Sequence, residues 1–355
     1  MRIFFCLSIL MAFFTKAFSV DSDSLNIKKD TIWTVGVGDI MLGTDFPEKA
    51  YLPPGNNCFP LMESLFPILQ SGNITFGNLE GVFLDEGKVV KRCKDTTKCY
   101  AFKMPEKYAS CLDSAGFDLF SLANNHFNDF GWAGKNQSMK ILDSLNIDYA
   151  GLVSCPYTII ERKNLKIGFA AFAPNKGTVS INNHAYAKRI VKDLNAKCDI
   201  VIVSFHGGAE GSKHESVPKA TETFYGENRG DVYKFSHELI DVGADIVLGH
   251  GPHVTRAFEV YKERIIFYSL GNFCTYGRFN LRGPNGIAPI VKIGTCPEGK
   301  LLKAQIIPVK QIGGGGVNHD SEGKVIKRMN QLVKQDFPNS AYFINSEGII
   351  VKSKI

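Results

Sequence analysis

The 355-residue chain has 44% hydrophobic and 21% charged residues, with 34 Gly and 15 Pro, which is typical of a folded globular protein and excludes intrinsic disorder and collagen-like repeats. The 41 Lys and Arg residues exceed the 35 Asp and Glu residues and give a formal net charge of +6, but the two signs are interspersed. Because no block of Lys and Arg stands out, we expect no nucleic-acid partner. The length fits two domains, or one large α/β domain with an appendage.

The first residues have the pattern of a secretory signal. Arg2 supplies a positive charge, residues 3–14 are almost entirely apolar, and Ala17–Ser19 places small residues before a cleavage point. An uncleaved membrane anchor is one alternative, but an apolar run of about 12 residues is short of the roughly 20 that span a bilayer. A lipoprotein anchor at Cys6 is another, although this cysteine precedes most of the apolar run. We expect residues 1–19 to be removed and the protein to be exported, with no transmembrane segment in the mature chain and a periplasmic, extracellular or envelope-associated location.

The chain has nine cysteines, and an exported protein can form disulfides between them. Cys93 and Cys99 flank a polar turn between two short runs with the character of hairpin strands, so we predict a disulfide between them. Cys111 lies in a predicted helix and Cys198 just after another, and we expect both to be buried thiols, the commoner role of an isolated cysteine. No C-x-x-C occurs, which excludes zinc-ribbon and thioredoxin-type sites.

Apolar runs alternate with helix-like segments through the first 280 residues. Most of the runs are continuous rather than alternating, as expected of strands that are buried on both faces. The predicted strands are 32–37, 74–76, 119–122, 167–172, 200–205, 246–248 and 265–268, and the predicted helices are 59–70, 105–115, 134–145, 187–195 and 232–242. This alternation predicts an α/β fold with a layered, largely parallel sheet or sheets flanked by helices.

The composition of the chain changes after residue 280. It becomes glycine-rich, with short predicted strands and the run Gly313–Gly316. We expect a small β-rich region there that packs on the main domain. The predicted organisation is therefore a signal peptide at 1–19, an α/β core over 20–280 and a C-terminal extension over 281–355.

Polar side chains follow six of the predicted strands, just beyond their carboxyl ends. In strand order they are Asp39; Asn78 and Glu80; Asn124, Asn125 and His126; His206 and Glu210; His250 and His253; and Asn272. Open α/β sheets bind ligands at this edge. Taken singly, each residue fits a turn, a helix cap or an ordinary core or loop histidine. Their recurrence at six strand ends favours one shared site.

The donor types indicate what such a site would bind. Carboxylate, amide and imidazole groups without thiolate suit Zn²⁺, Mn²⁺, Fe²⁺ or Mg²⁺, and a carboxylate shared by two ions is how two-metal hydrolases are built. We therefore predict one or two divalent metal ions as cofactors. Other catalytic designs lack their motifs, since the sequence contains no G-x-S-x-G, no P-loop and no H-E-x-x-H.

The chain resembles the CapA family of bacterial capsule and poly-γ-glutamate synthesis proteins. The resemblance rests on six motifs in order, GDIML, GNLEG, SLANNHFNDFG, SFHGGAE, GADIVLGHGPHV and IIFYSLGNF. The fold of that family is similar to the calcineurin-like metallophosphatases. Since the motifs cover residues 32–280, the resemblance implies a metallophosphatase-like core.

The resemblance also implies metal-ligand roles for six residues. The implied ligands are Asp39 and His253 for a first metal, Glu80 as the carboxylate that bridges two metals, and Asn125, His206 and His250 for a second metal. Three positions depart from the metallophosphatase pattern. Met41 stands where the D-x-H motif has its histidine, Glu80 replaces the bridging Asp, and the G-H-x-H motif is one residue longer and ends at His253.

Two more residues have implied roles in catalysis. His126 would stand near the leaving group as a general acid. Glu210 ends the family motif H-W-G-x-E, which here reads His206-Gly207-Gly208-Ala209-Glu210. Its carboxylate would hydrogen-bond a ligand or a water on the metal, and an exposed loop carboxylate is the alternative.

Two functions remain open for this site. One is a secreted metal-dependent hydrolase of phosphoester-type or related bonds that acts in cell-envelope or capsular polymer synthesis. The other is a non-catalytic accessory protein that binds an anionic envelope polymer in the same pocket, helped by the positive net charge. His126 favours chemistry, whereas the absence of a histidine at Met41 favours binding. A structural envelope protein, in which the metal only stabilises the fold, is a third alternative.

Overall fold

The computed structural model describes residues 31–92 and 100–353. The predicted signal at residues 1–19 and the predicted Cys93–Cys99 pair lie outside this part of the chain. Within it, no helix combines the length and the apolar character that crossing a membrane requires.

The described strands and helices alternate along the chain. The strands are β1 (Ile32–Met41), β2 (Ile74–Leu79), β3 (Val82–Phe83), β4 (Lys103–Met104), β5 (Leu119–Ser121), β6 (Asp148–Ala150), β7 (Tyr157–Arg162), β8 (Leu165–Phe172), β9 (Ile200–His206), β10 (Glu222–Phe224), β11 (Glu227–Gly230), β12 (Ile246–His250), β13 (Phe258–Tyr261), β14 (Arg264–Phe267), β15 (Asn272–Thr275), β16 (Ile287–Thr295), β17 (Leu301–Gln311), β18 (Val317–His319), β19 (Tyr342–Ile344) and β20 (Ile350–Lys352). The α-helices are α1 (Phe66–Leu69), α2 (Ala109–Ala115), α3 (Gly131–Ser144), α4 (His184–Asn195), α5 (Val232–Ile240) and α6 (Lys324–Asp336).

Two sheets carry most of these strands. The first has the spatial order β18-β17-β16-β1-β2-β5-β6, with β15 also paired to β1, and the second has the order β13-β14-β12-β9-β8-β7. The central strands β1, β2, β5, β6 and β15 run parallel, as do β8, β9, β12 and β14. The outer pairings are antiparallel. The structure confirms the predicted α/β class, with largely parallel sheets flanked by helices.

The two sheets pack face to face. Phe76 of β2 and Phe169 of β8 have ring centroids 5.4 Å apart, inside a hydrophobic cluster that also includes side chains of α4 and α5. In a second cluster, Val37 of β1 packs with Leu112 of α2 and Leu142 of α3. The central strands are therefore buried on both faces, which explains why their sequences are continuous apolar runs.

All seven predicted strands are present, and four continue past their predicted carboxyl ends, β2 among them to Leu79. β1 continues to Met41, β9 to His206 and β12 to His250. Asp39, His206 and His250 are therefore held by strand pairing instead of being carried on loops. Ligand groups on paired strands have little freedom to move apart.

One predicted helix is mostly absent. Within residues 59–70 only Phe66–Leu69 is α-helical, and most of the preceding residues form 3₁₀ turns. Pro67 lacks the backbone N–H that a continuous helix needs after its first turn, so the segment is broken into short pieces. The other four predicted helices are present with shifted ends.

The prediction that Cys111 is a free thiol is wrong. Cys111 of α2 forms a disulfide with Cys58, which lies 53 positions earlier and directly before the 3₁₀ turn Phe59–Leu61. No local spacing signals a pair this far apart in sequence. Cys198 is a free thiol as predicted, but it is only half-buried.

The strands after residue 280 are longer than predicted. β16 has nine residues and β17 has eleven. β16 pairs with residues 32–36 of β1, and α6 contacts both β16 and β17. This part of the chain therefore extends the first sheet beside the strand that carries Asp39.

Candidate metal centre

The carboxyl ends of parallel strands from both sheets meet at one buried cluster. In the first sheet, Asp39 of β1 lies between Asn78 of β2 and Asn272 of β15 in strand register. In the second sheet, His206 of β9 is in register with His250 of β12. These five residues are at most 1% exposed. The cluster is therefore shielded from bulk water.

Asp39 has the most contacts with the other candidate ligands. Its Oδ1 accepts a hydrogen bond from Nδ2 of Asn78 at 2.8 Å and lies 3.3 Å from Nδ1 of His250, while its Oδ2 lies 2.8 Å from Nδ1 of His253. Burial alone would raise the pKa of Asp39, but the contacts with His250 and His253 hold it below the usual range. Asp39 is therefore ionised at neutral pH and available as a ligand.

Glu80 is joined to Asp39 through the same asparagine. Nδ2 of Asn78 also donates to Oε2 of Glu80 at 2.5 Å, and Nδ1 of His206 lies 3.5 Å from that oxygen. Burial, followed by the nearby charge of Asp39, raises the pKa of Glu80 to about 8. Two buried carboxylates this close can both be ionised only if positive charge lies between or beside them.

Several buried polar atoms around these carboxylates have no hydrogen-bond partner in residues 31–92 and 100–353. They are Oε1 of Glu80, Oδ1 of Asn272, and both ring nitrogens of His206 and of His250. An unpaired buried polar atom costs about 1–3 kcal/mol, so such atoms are rare in folded proteins.

A divalent cation would give these atoms a partner. Asp39, Glu80 and His206 each place one ligand atom within 4.8 Å of the others. The donors combine carboxylate, amide and imidazole groups, a set suited to borderline and hard divalent ions. The residues present therefore fit the metal ion that the sequence predicts.

His253 reaches the cluster from the loop after β12. Its φ of 56° lies in the left-handed region, and its carbonyl oxygen accepts hydrogen bonds from Nδ2 of Asn272 at 3.2 Å and from Nδ2 of Asn285 at 3.1 Å. Burial would lower the pKa of His253, but the hydrogen bond with Asp39 raises it to about 10. In the metal-free protein His253 is therefore protonated and partly neutralises Asp39.

His126 has its own set of partners. Its Nδ1 lies 2.7 Å from Oδ2 of Asp129, and Nζ of Lys91 lies 3.0 Å from the other oxygen of Asp129. Since an ionised carboxylate can only accept, Nδ1 carries the proton and Nε2 presents its lone pair. Burial and the charge of Lys91 lower the pKa of His126, against the opposing effect of Asp129. Oδ1 of Asn124 accepts the backbone N–H of His126 at 3.0 Å and fixes the turn.

Two phenylalanine rings connect His126 to His253. Phe102 and Phe279 stack with ring centroids 5.0 Å apart. The ring of Phe102 lies 4.3 Å from that of His126, and the ring of Phe279 lies 5.8 Å from that of His253. We call Phe102 and Phe279 the aromatic wall. It gives the site an apolar boundary between the two histidines.

Glu210 lies beside the candidate ligands and has a cationic partner. Its Oε1 is 3.1 Å from Nη2 of Arg229, whose Nε donates to a carbonyl of the same loop at 3.2 Å. The fully buried Arg256 binds Glu222 through two hydrogen bonds of 2.8 and 2.7 Å, and Glu222 accepts the backbone N–H of Ala209 at 2.9 Å. Two arginines therefore fix the loop that follows His206.

The structure brings most of the predicted metal ligands together. Those in mutual contact are Asp39, Glu80, His206, His250 and His253. No described contact joins Asn125 to these five residues, although its Oδ1 is buried and lacks a hydrogen-bond partner among the described residues. His126 and Glu210 are each held by partners of their own. Sequence reasoning missed Asp129 and Asn285. Asp129 had a signal, since it follows His126 by three residues, but nothing in the sequence pointed to Asn285.

A family model described as "Bacterial capsule synthesis protein PGA_cap" matches residues 34–276. The chain belongs to this family. The match includes every candidate ligand from Asp39 to His253 and ends before β16 begins. It confirms the resemblance that the six motifs indicate.

Individual proteins similar to this PGA_cap family member carry related names. The chain is 29% identical over 256 residues to "Capsule biosynthesis protein CapA" of Bacillus anthracis. The aligned region covers 67% of this chain and 58% of that protein. The chain is also 24% identical over 287 residues to "PGA biosynthesis protein CapA" of Bacillus subtilis (strain 168), which covers 75% and 69% respectively. The chain thus spans less than two thirds of the length of the Bacillus anthracis relative.

A solved structure of a hypothetical protein from Thermus thermophilus is also similar. The TM-score is 0.47 at 15% identity, over 81% of this chain and 100% of that one.

Proposed function

We propose that this PGA_cap family member is an exported, divalent-metal-dependent hydrolase of phosphoester-type or related bonds that acts in the synthesis of an anionic envelope polymer. The observation that carries the proposal is the set of buried, unpaired donor atoms around two buried carboxylates. The residues that would hold the ion are Asp39, Glu80, His206, His250 and His253. The names of the two Bacillus relatives support the part of the proposal that concerns capsule polymer.

The chain's own residues would bind the substrate and move its proton. When bound at the cluster, a divalent ion supplies Lewis acidity and lowers the pKa of the water that it holds. His126 can give or take a proton at Nε2, which has no hydrogen-bond partner among the described residues, and Asp129 keeps the proton of the ring on Nδ1. Lys91 adds positive charge that attracts an anionic substrate.

The aromatic wall would complete this arrangement. Phe102 is only 2% exposed, whereas Phe279 is half-buried. The pair would exclude water from the space between His126 and His253 and would offer an apolar surface to the leaving group. Exclusion of water strengthens the electrostatic interactions inside a site.

Export is supported by the disulfide between Cys58 and Cys111. Disulfides form and persist in oxidising compartments and are rare in the cytosol. The signal pattern at residues 1–19 agrees with this placement and rests on the sequence alone.

A second candidate is an accessory protein that binds the polymer without cleaving it. Met41 favours this function, because it stands where the metallophosphatases have a histidine ligand. Its side chain is fully buried in the hydrophobic cluster beside the first sheet. The first metal position therefore lacks a nitrogen donor at the place where the metallophosphatases supply one.

The two functions are separated by measuring metal content and turnover on one preparation. The mature protein is purified from the periplasm without added metal and analysed by mass spectrometry of the elements. It is then assayed with bis(p-nitrophenyl) phosphate and titrated with poly-γ-glutamate in a calorimeter. Bound metal with a turnover that His126→Ala abolishes supports the hydrolase. Bound metal and polymer binding without turnover favour the accessory protein, and absence of metal overturns both.

A control variant for this experiment lies away from the site. His184 of α4 is partly exposed, and its Nδ1 lies 3.0 Å from Oε2 of Glu238. Since this contact is on the surface, His184→Ala should leave both metal content and turnover unchanged.

A further inference from the structure

Asn272 is a buried residue of the cluster that has no role in the proposed mechanism. It begins β15 and is the register partner of Asp39 in the parallel pair β1–β15. Residues in register on adjacent strands project from the same face of a sheet. The side chains of Asn272 and Asp39 therefore lie side by side, and Asn272 is 1% exposed.

The hydrogen bonds of Asn272 settle which way its amide points. Nδ2 donates to the carbonyl oxygen of His253 at 3.2 Å and to that of Asn285 at 3.1 Å. A carbonyl can only accept, so the NH₂ group must face these two oxygens and Oδ1 must face away from them. Oδ1 is buried and receives no hydrogen bond from any of the described residues.

The close approach of β15 to β1 depends on a glycine. The backbone N–H of Asp39 donates to the carbonyl of Gly271 at 2.8 Å. A Cβ at Gly38 would collide with that same carbonyl, so only glycine at position 38 lets the two strands meet at this distance. The placement of Asn272 beside Asp39 is therefore built into the backbone of both segments.

From these observations we propose that Oδ1 of Asn272 is a metal ligand beside Asp39 and His253. It takes the place of the histidine that is absent at Met41. The inference rests on the proposed function, because it presupposes a metal at the cluster. An amide oxygen is a harder donor than an imidazole nitrogen, so this ligand shifts the preference of the first position from Zn²⁺ towards Mn²⁺ or Mg²⁺.

Asn272 has a competing role as an anchor for the His253 loop. Asn285 provides a matched control, because its Nδ2 donates to the same carbonyl of His253 at 3.1 Å. None of its polar atoms is among the buried unpaired ones. A change at Asn285 therefore removes an anchor without removing a candidate ligand.

The experiment is calorimetric titration of the metal-depleted mature protein with Mn²⁺ and with Zn²⁺. Wild type is compared with Asn272→Leu, Asn272→Asp and Asn285→Leu, and circular dichroism verifies that each is folded. Asn272→Leu removes both ligand and anchor, whereas Asn272→Asp keeps an oxygen, removes the donor groups and adds a negative charge. We expect Asn272→Asp to bind Mn²⁺ at least about tenfold more tightly than Asn272→Leu, since changes around the ligands of a metal site commonly cost about 10- to 100-fold in affinity.

The outcomes separate the ligand from the anchor. If the wild type binds Mn²⁺ and Asn272→Leu binds it as tightly as Asn272→Asp, Asn272 is not a ligand. That outcome leaves the proposed function standing. If Asn272→Leu does not fold, the comparison passes to Asn285→Leu. Mn²⁺ affinity of Asn272→Asp at or above that of Asn285→Leu then supports the ligand, and a lower affinity overturns it. A wild-type protein that binds neither ion overturns the proposed function itself.

Discussion

Nδ1 of His253 lies 2.8 Å from Oδ2 of Asp39, although 214 positions of sequence separate the two residues. Asp39 belongs to the first sheet, and His253 follows the last residue of β12 in the second. The contact exists only when the two sheets are packed together. Ligand binding at this point is therefore coupled to the packing of the whole core, because an ion that binds only the folded state stabilises it.

His206→Ala and His250→Ala should each lower the metal content without unfolding the protein. Both rings are fully buried, and within the described part of the chain neither ring nitrogen of either residue has a hydrogen-bond partner. Removing an unpaired buried polar group relieves a desolvation cost, which offsets part of the cavity that Ala leaves. Elemental analysis of protein purified without added metal measures the loss. Full metal retention in both variants would contradict the site.

Removal of the metal should lower the thermal stability of the wild-type protein. An ion present at about 100 times its Kd stabilises the folded state by about 2.7 kcal/mol. We expect the melting temperature to fall after dialysis against a chelator and to return when Mn²⁺ or Zn²⁺ is added. His206→Ala serves as the control, since its melting temperature should respond much less to either ion. Equal responses of wild type and variant would show that the ions act elsewhere.

Cys111→Ser should destabilise the protein, because the unfolded chain is less constrained without the disulfide. The disulfide closes a loop of 53 positions, for which the chain-entropy treatment gives about 4 kcal/mol as an upper value. Urea denaturation without reductant measures the difference from wild type. Cys198→Ser, at a half-buried free thiol, should change the free energy of unfolding by less than about 0.5 kcal/mol. A wild-type protein whose stability does not change on reduction would contradict this prediction.

Much of the fold could be predicted because strands buried on both faces are continuous apolar runs. The run that forms β9 indicates both the strand and the placement of His206 at its end. The same reasoning applies to β12 and His250. Strand-end polar residues converge whenever parallel strands share an edge, so the cluster could be anticipated without a structure.

The features that the sequence did not predict depend on which segments become neighbours in the folded chain. The pairing of Cys58 with Cys111 and of Asp39 with Asn272 follows from the three-dimensional arrangement, and no local periodicity encodes it. The change in composition after residue 280 predicts a small region that packs on the main domain, but it does not indicate that β16 pairs with β1. Sequence patterns indicate which residues form strands more readily than they indicate the order of strands in a sheet.

Asp320→Ala should destabilise α6 in a pH-dependent way. The buried carboxylate of Asp320 accepts the backbone N–H of Lys324, the first residue of the helix, at 2.9 Å. Burial would raise the pKa of Asp320, but this hydrogen bond and the ion pair with Lys310 lower it below its usual value. The stabilisation, about 1 kcal/mol for a helix cap, is therefore present above about pH 4 and is lost as the pH falls through the folded-state pKa.

Urea denaturation at about pH 6 and about pH 3 measures this effect. The difference between wild type and Asp320→Ala should be smaller at the lower pH. The matched control is Glu322→Ala, whose side chain is 57% exposed and should matter little at either pH. A difference that is equal at both pH values would show that the cap does not depend on the charge of Asp320.

Replacement of His126 and of Asp129 tests whether the pair performs chemistry. His126→Ala should keep the metal, because none of the described hydrogen bonds of His126 is to a candidate ligand. It should lower turnover at least about 10²-fold, the usual minimum for a general acid or base. Asp129→Asn removes a charge that favours the protonated ring. The limb of the pH–rate profile that belongs to His126 should therefore move to lower pH, while a merely structural role of Asp129 would leave that limb in place. Loss of metal in His126→Ala would indicate that the residue is a ligand. Undiminished turnover would favour the accessory, polymer-binding function.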